Sequence, residues 1–159
     1  MDARVTWDKD LQFVGVSDSG FAVRMDSKSS SQTGAGPVEL TLMALAGCTA
    51  MDVISILQKK RQDVAEFHVQ AHAERAADYP RVITAAVLEY EVTGHDIQEA
   101  ALRRAIDLSV KQYCPVHAML TKAFPISLTY SIFERDPDGG RKLASQGTCV
   151  PDLSGEAED

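Results

Sequence analysis

Val38-Glu39-Leu40-Thr41-Leu42-Met43-Ala44-Leu45-Ala46-Gly47-Cys48-Thr49-Ala50-Met51-Asp52-Val53-Ile54-Ser55-Ile56-Leu57 is the stretch that decides how this chain folds. Gly36-Pro37 opens it, and proline suits a first helical position because its missing N–H would have no partner there. Lys59-Lys60-Arg61 closes it with positive charge at the negative end of the helix dipole. The residues between predict one long helix. Its large apolar side chains surround the axis, and a helix apolar all round must be covered on every side. Twenty such residues could also cross a bilayer, but Glu39 and Asp52 lie among them, and carboxylates are expensive in hydrocarbon. The reading is a buried helix of a soluble protein, with no membrane partner. A chain of 159 residues can form one core, but the few other elements predicted here can hardly wrap such a helix. A homodimer that buries it between subunits follows.

Outward from the helix, Arg4–Trp7, Leu11–Val16 and Phe21–Met25 read as three short strands in an antiparallel meander. Asp26 to Gly36 is small and polar, hence a loop. After the helix, Glu66–Ala76 and Val82–Thr93 read as strands about the turn Asp78-Tyr79-Pro80. Asp96-Ile97-Gln98-Glu99 has capping-box spacing, and the helix it starts carries Leu102, Ile106, Val110 and Tyr113 on one face. Cys114-Pro115 interrupts that helix, a short helix over Val116–Ala123 follows, and Ile126–Ile132 is a last strand. Residues 1–133 make one α+β domain. Residues 134–159 hold seven acids against three bases and no apolar period, which predicts a mobile acidic tail without structure.

The formal net charge of -7 argues against a nucleic-acid partner, which would select a basic face. Three cysteines behind an N-terminus without a charged region and apolar run do not make a secretory disulfide framework. The expected location is a reducing cytoplasm, where a cysteine is kept for packing, metal binding or reactivity.

Cys48 sits midway along the long helix between Gly47 and Thr49. A buried free cysteine is by itself more often a small hydrophobe than a nucleophile. Asp52 shares its face four residues on, and a carboxylate there raises a thiol pKa, so a reactive Cys48 needs a cation nearby. Cys114, just before Pro115, falls at a helix N-terminus, where unpaired N–H groups favour a thiolate. His117 could share its proton, although a surface histidine is the commoner case. Cys48, Cys114 and His117 offer three ligands of zinc type, but no second close pair completes a pattern, so no metal and no cofactor is expected. Cys149 reads as an incidental reduced thiol.

Gly36-Pro37-Val38-Glu39-Leu40, Gly47-Cys48-Thr49-Ala50-Met51-Asp52-Val53-Ile54-Ser55-Ile56-Leu57 and Tyr113-Cys114-Pro115-Val116 together resemble the OsmC/Ohr family, and within it the YhfA-like branch. The resemblance runs from about Ala3 to Ile132. It implies an OsmC-like α+β fold, an antiparallel sheet around long central helices, in an interlocked homodimer with active sites at the interface. It also implies a thiol-dependent reduction of organic hydroperoxides. Cys48 matches the peroxidatic cysteine and Cys114 the resolving one, with a dithiol reductant, lipoyl type included, to regenerate both.

Two departures bear on that activity. In the peroxidase branches a Glu ten residues before the first cysteine pairs with an Arg that holds the thiolate. Here position 38 is Val, and Glu39, taken as the third catalytic residue, lies half a helical turn from Cys48. The activating cation is unassigned, with Arg24 and Lys28 as candidates. The alternative is a non-catalytic dimer of the same fold that binds a small hydrophobic ligand or senses redox state.

Overall fold

A computed structural model describes residues 1–27, 32–136 and 138–149. The chain falls into two compact units, Met1–Met43 and Ala44–Asp159. The first holds β1 (Ala3–Lys9), β2 (Gln12–Ser17) and β3 (Ala22–Asp26), joined as the expected antiparallel meander. Gly20 makes the β2–β3 turn with φ 85°, a left-handed conformation in which a Cβ would be strained. The helix α1 (Pro37–Lys59) begins in this unit and continues into the next. Lys28, one of the two candidate cations, lies outside the described residues.

The second unit is built on a four-stranded sheet, β4 (Asp63–Arg75), β5 (Ile83–His95), β6 (Ile126–Arg135) and β7 (Arg141–Cys149), in that order. The β4–β5 pair is antiparallel, as the expected antiparallel sheet requires, and β6–β7, which was not expected, is antiparallel too. The central β5–β6 pair is parallel, Tyr90 facing Tyr130. A parallel pair needs a crossover, and α2 (Glu99–Leu108), a π-helical turn (Ser109–Tyr113) and α3 (Pro115–Leu120) supply it. The core joins Leu45, Val53 and Leu57 of α1 to Leu88, Tyr90 and Val92 of β5, Leu102 and Ile106 of α2, and Leu128 and Ile132 of β6. Only one stripe of α1 is spent on it: Leu45, Thr49, Val53 and Leu57, each four residues from the next. Met51 on another face is 73% exposed.

Three expectations need correction. The region after Glu134 is not structureless. Strand β6 continues to Arg135, and Arg141–Cys149 pairs with it as β7, so ordered structure reaches Cys149; residues 150–159 lie outside the described set. The strand is a polar edge with Leu143 as its one large apolar residue, so side-chain alternation gave no signal. Backbone pairing and a few polar contacts hold it: Ser145 Oγ donates to Glu99, and Arg141 pairs with Glu91 and stacks on the Phe133 ring at 4.3 Å. Gly147 lies opposite Tyr130, where a Cβ would come within 2.6 Å of the tyrosine oxygen.

Asp96 does not cap α2. It sits at φ 47°, and the helix starts at Glu99 with Gln98 as its N-cap and no side-chain cap bond. The Glu99 carboxylate instead takes hydrogen bonds from Tyr130 Oη, at 2.6 Å, and from Ser145. Those bonds are available only in the folded chain. Tyr113, finally, leaves the apolar face of its helix and is 52% exposed. The π-helical turn, in which Cys114 N–H donates to Ser109 carbonyl at 2.8 Å, widens the spiral and carries Tyr113 off the 3.6-residue register.

Candidate active site: a cysteine pair between α1 and the π-helical turn

Cys48 and Asp52, four residues apart, lie half-buried on one face of α1. Cys114 arrives from the other side of the unit for a local reason. The residue before a proline is pushed out of the helical region, and Cys114 has φ -80° and ψ 102° ahead of Pro115. It therefore ends the π-helical turn and caps α3, its Sγ accepting from the His117 backbone N–H at 3.3 Å. The sulfurs of Cys48 and Cys114 and a carboxylate oxygen of Asp52 all lie within 4.8 Å of one another. Ser109 Oγ, from the π-helical turn, donates to Asp52 Oδ2 at 2.9 Å and ties the two walls together. Gly47 beside Cys48 has open space where a Cβ would point.

The electrostatics reverse the expectation drawn from the helix end. Cys114 is buried, 3% exposed. Burial, then a hydrogen bond with Cys48, pushes its thiol up to about 12 against the pull of the His117 and Val116 backbone N–H groups. Desolvation outweighs the dipole of a six-residue helix. Cys114 is therefore a neutral thiol at physiological pH.

Beneath the pair, Thr49 is fully buried and returns its hydroxyl to the Ala46 carbonyl at 3.1 Å. Tyr90 lies next to it in β5, and burial holds its phenol protonated. His117 is not at the surface as read: it is 7% exposed, and burial lowers its pKa, so the imidazole is neutral. Asp52 also borders an open groove of about 580 Å³ lined by Ile56, Leu108 and Tyr113 together with Lys59 and Lys60.

The structure thus brings Cys48 and Cys114 together and adds Asp52, Ser109 and Tyr90, none of which sequence reasoning counted among the catalytic residues. Only Asp52 had a signal, its i,i+4 spacing from Cys48. Glu39 belongs to the first turn of α1 within the first unit, where its Oε2 accepts from Gly36 N–H at 2.7 Å. Arg24 belongs to the same unit and stands 4.0 Å from Asp8. Cys149, at the end of β7, is a half-buried free thiol that burial keeps protonated.

Fold and site together define an α+β protein with a thiol pair seated between a long helix and a crossover. The OsmC-like protein family model matches residues 28–129, and the chain belongs to that family. It is 46% identical to Protein YhfA of Escherichia coli K12 over 132 residues, 83% of this chain and 98% of that protein. A solved structure from structural genomics, 44% identical, superposes with a TM-score of 0.77 over 84% of this chain and 99% of its own. An organic hydroperoxide resistance protein OsmC from Legionella pneumophila shares the fold at a TM-score of 0.60. It is 10% identical and covers 81% of this chain and 94% of its own.

Proposed function

We propose that this protein is a thiol-dependent peroxidase that reduces organic hydroperoxides through Cys48 and Cys114. One observation carries the reading: two cysteines 66 positions apart in sequence meet in one cluster, and the buried one is held as a neutral thiol. Membership of the OsmC-like family and the hydroperoxide-resistance name of a structural neighbour support it.

In this reading the Cys48 sulfur attacks the O–O bond. It becomes a sulfenic acid, and the alkoxide leaves as an alcohol with a proton that the neighbouring Cys114 thiol can supply. Cys114, now a thiolate, attacks the sulfenic sulfur to form the disulfide, and the hydroxide it displaces takes back the proton that Cys48 gave to solvent before its attack and leaves as water. An external dithiol, lipoyl type by family analogy, takes the disulfide back to two thiols. The order of roles follows the electrostatics: a thiol kept protonated is the poorer first nucleophile and the better proton source. Glu39 acts through α1, by capping the helix that carries Cys48. The groove beside Asp52, part apolar and open, favours an organic hydroperoxide over hydrogen peroxide. A homodimer in the cytoplasm completes the reading, and the apolar faces of α1 that the chain leaves uncovered support it.

Two observations favour the non-catalytic alternative. Among the described residues no lysine or arginine is ion-paired with Asp52, and Val38 stands where the peroxidase branches carry a Glu.

Intact-mass analysis with disulfide mapping decides the matter. The reduced full-length protein receives one equivalent of cumene hydroperoxide in the presence of a chelator. The expected product is a Cys48–Cys114 disulfide within seconds, absent from Cys48→Ser, which should stop at unreacted thiols. In Cys114→Ser, a trapped sulfenic acid on residue 48 should accumulate. Thiols that stay reduced, or a random mixture with Cys149, would overturn the reading.

A further inference from the structure

We propose that the reduced site also binds a zinc ion through Cys48 Sγ, Cys114 Sγ and an Asp52 carboxylate oxygen. The three ligand atoms lie within 4.8 Å of one another. In a tetrahedral zinc site with Zn–S of about 2.3 Å, neighbouring ligand atoms sit about 3.4–3.8 Å apart. An ion at the centre therefore asks each side chain to move by a fraction of an ångström to about one ångström. Two sulfurs and one carboxylate are a borderline-soft donor set, which selects zinc over the oxygen-seeking magnesium and calcium.

Electrostatics favours the same occupant. Two thiols and a carboxyl are gathered in one cluster, and no ion pair among the described residues neutralises Asp52. A divalent cation that binds there displaces the thiol protons and holds two thiolates and a carboxylate by attraction. Ser109 Oγ donates to Oδ2 of Asp52. That bond leaves Oδ1 for the metal and fixes the carboxylate plane, the supporting role that a second layer of hydrogen bonds plays at metal sites. Cys48 and Asp52 are half-buried, so an ion can enter from their side. Cys114 sits at the closed end. The histidine that sequence spacing suggested as third ligand, His117, is not in the cluster; Asp52 takes its place.

Zinc and the disulfide exclude each other, because the same two sulfurs serve both. When a hydroperoxide oxidises the loaded pair, each thiolate gives up one electron and the S–S bond forms. The O–O bond takes both electrons and two protons from solvent to give an alcohol and water, and zinc leaves. Only this release step rests on the peroxidase reading; binding does not.

The test uses the reduced, metal-free, full-length protein under anaerobic conditions. It is titrated with Zn²⁺ against a chromophoric chelator, and with Co²⁺ to read thiolate-to-metal charge transfer. The expected result is one ion per chain with charge-transfer absorption. Cys48→Ser or Cys114→Ser should weaken binding at least a hundredfold. Asp52→Asn, close in shape, should weaken it about tenfold or more, while Cys149→Ser binds like the parent. Circular dichroism checks that each variant is folded. Absence of stoichiometric binding overturns the proposal, as does full binding in Cys48→Ser or in Asp52→Asn. The hydroperoxide assay above contains chelator, so its failure and failure of the zinc titration are separate results.

Discussion

The two sheets of this protein are built from strands of similar composition and end in opposite states. In β4–β7, the central strand β5 buries Ala86, Leu88, Tyr90 and Val92 on alternate positions, against α1 and α2. In β1–β3, the only buried residues are Gln12 and Asp26, both polar, and all seven residues of β1 are exposed. Val5, Trp7, Phe21 and Val23 are more than 40% exposed in the single chain. A sheet of three strands needs an apolar face packed against something to hold its shape. The contrast teaches that a buried apolar core specifies the second sheet, whereas the first has none of its own within the single chain. It also marks the first sheet as a surface awaiting cover, which accords with the proposed homodimer.

The largest expected effect comes from deleting residues 141–159. This strips β7, bares the edge of β6 and removes Ser145 from Glu99, so the protein should lose its cooperative thermal transition or melt far lower. An unchanged midpoint would mean that β7 adds nothing to the sheet. Next, Leu88→Ala, at a fully buried site, should cost about 2–5 kcal/mol by denaturant titration. The same truncation in the first sheet, Val5→Ala, should cost under about 0.5 kcal/mol at protein concentrations where the chain is monomeric. A loss that grows with concentration would show that a second copy covers β1.

Between these lies a pH effect. The hydrogen bonds from Ser145 and then Tyr130 lower the Glu99 pKa below its ordinary value. A carboxyl whose pKa is depressed on folding contributes stability that is present above the unfolded pKa and lost as pH falls through the folded one. The stability gap between the parent and Glu99→Gln should therefore be fully open at pH 7 and close in the acid range. A gap independent of pH would deny the carboxylate this role.

Much of the fold was legible because local chemistry and tertiary structure agree. Pro37 and the basic run set the ends of α1, and turn residues marked the meander and the break between β4 and β5. What escaped was set by distant partners. Strand β7 is polar and its side chains are mostly exposed, and its reasons to be a strand, β6 beside it and Glu99 near it, lie elsewhere in the chain. The π-helical turn has no local signature, yet it displaces Tyr113 and aims Cys114. At the candidate site the two cysteines stood out by family resemblance, but local reasoning favoured Cys114 as the thiolate. It could count the N–H groups at a helix end and could not weigh burial, which the fold makes the larger effect.

The sequence by itself therefore determined one long helix apolar on all sides, two groups of strands and a pair of thiols near Asp52 and Pro115, because spacing and residue type act over a few positions. Only the tertiary structure decided that β5 and β6 run parallel, that Cys48, Asp52 and Cys114 share a cluster, and that Cys114 keeps its proton. Those outcomes depend on which groups are brought together and how much water is excluded, and both are properties of the assembled chain.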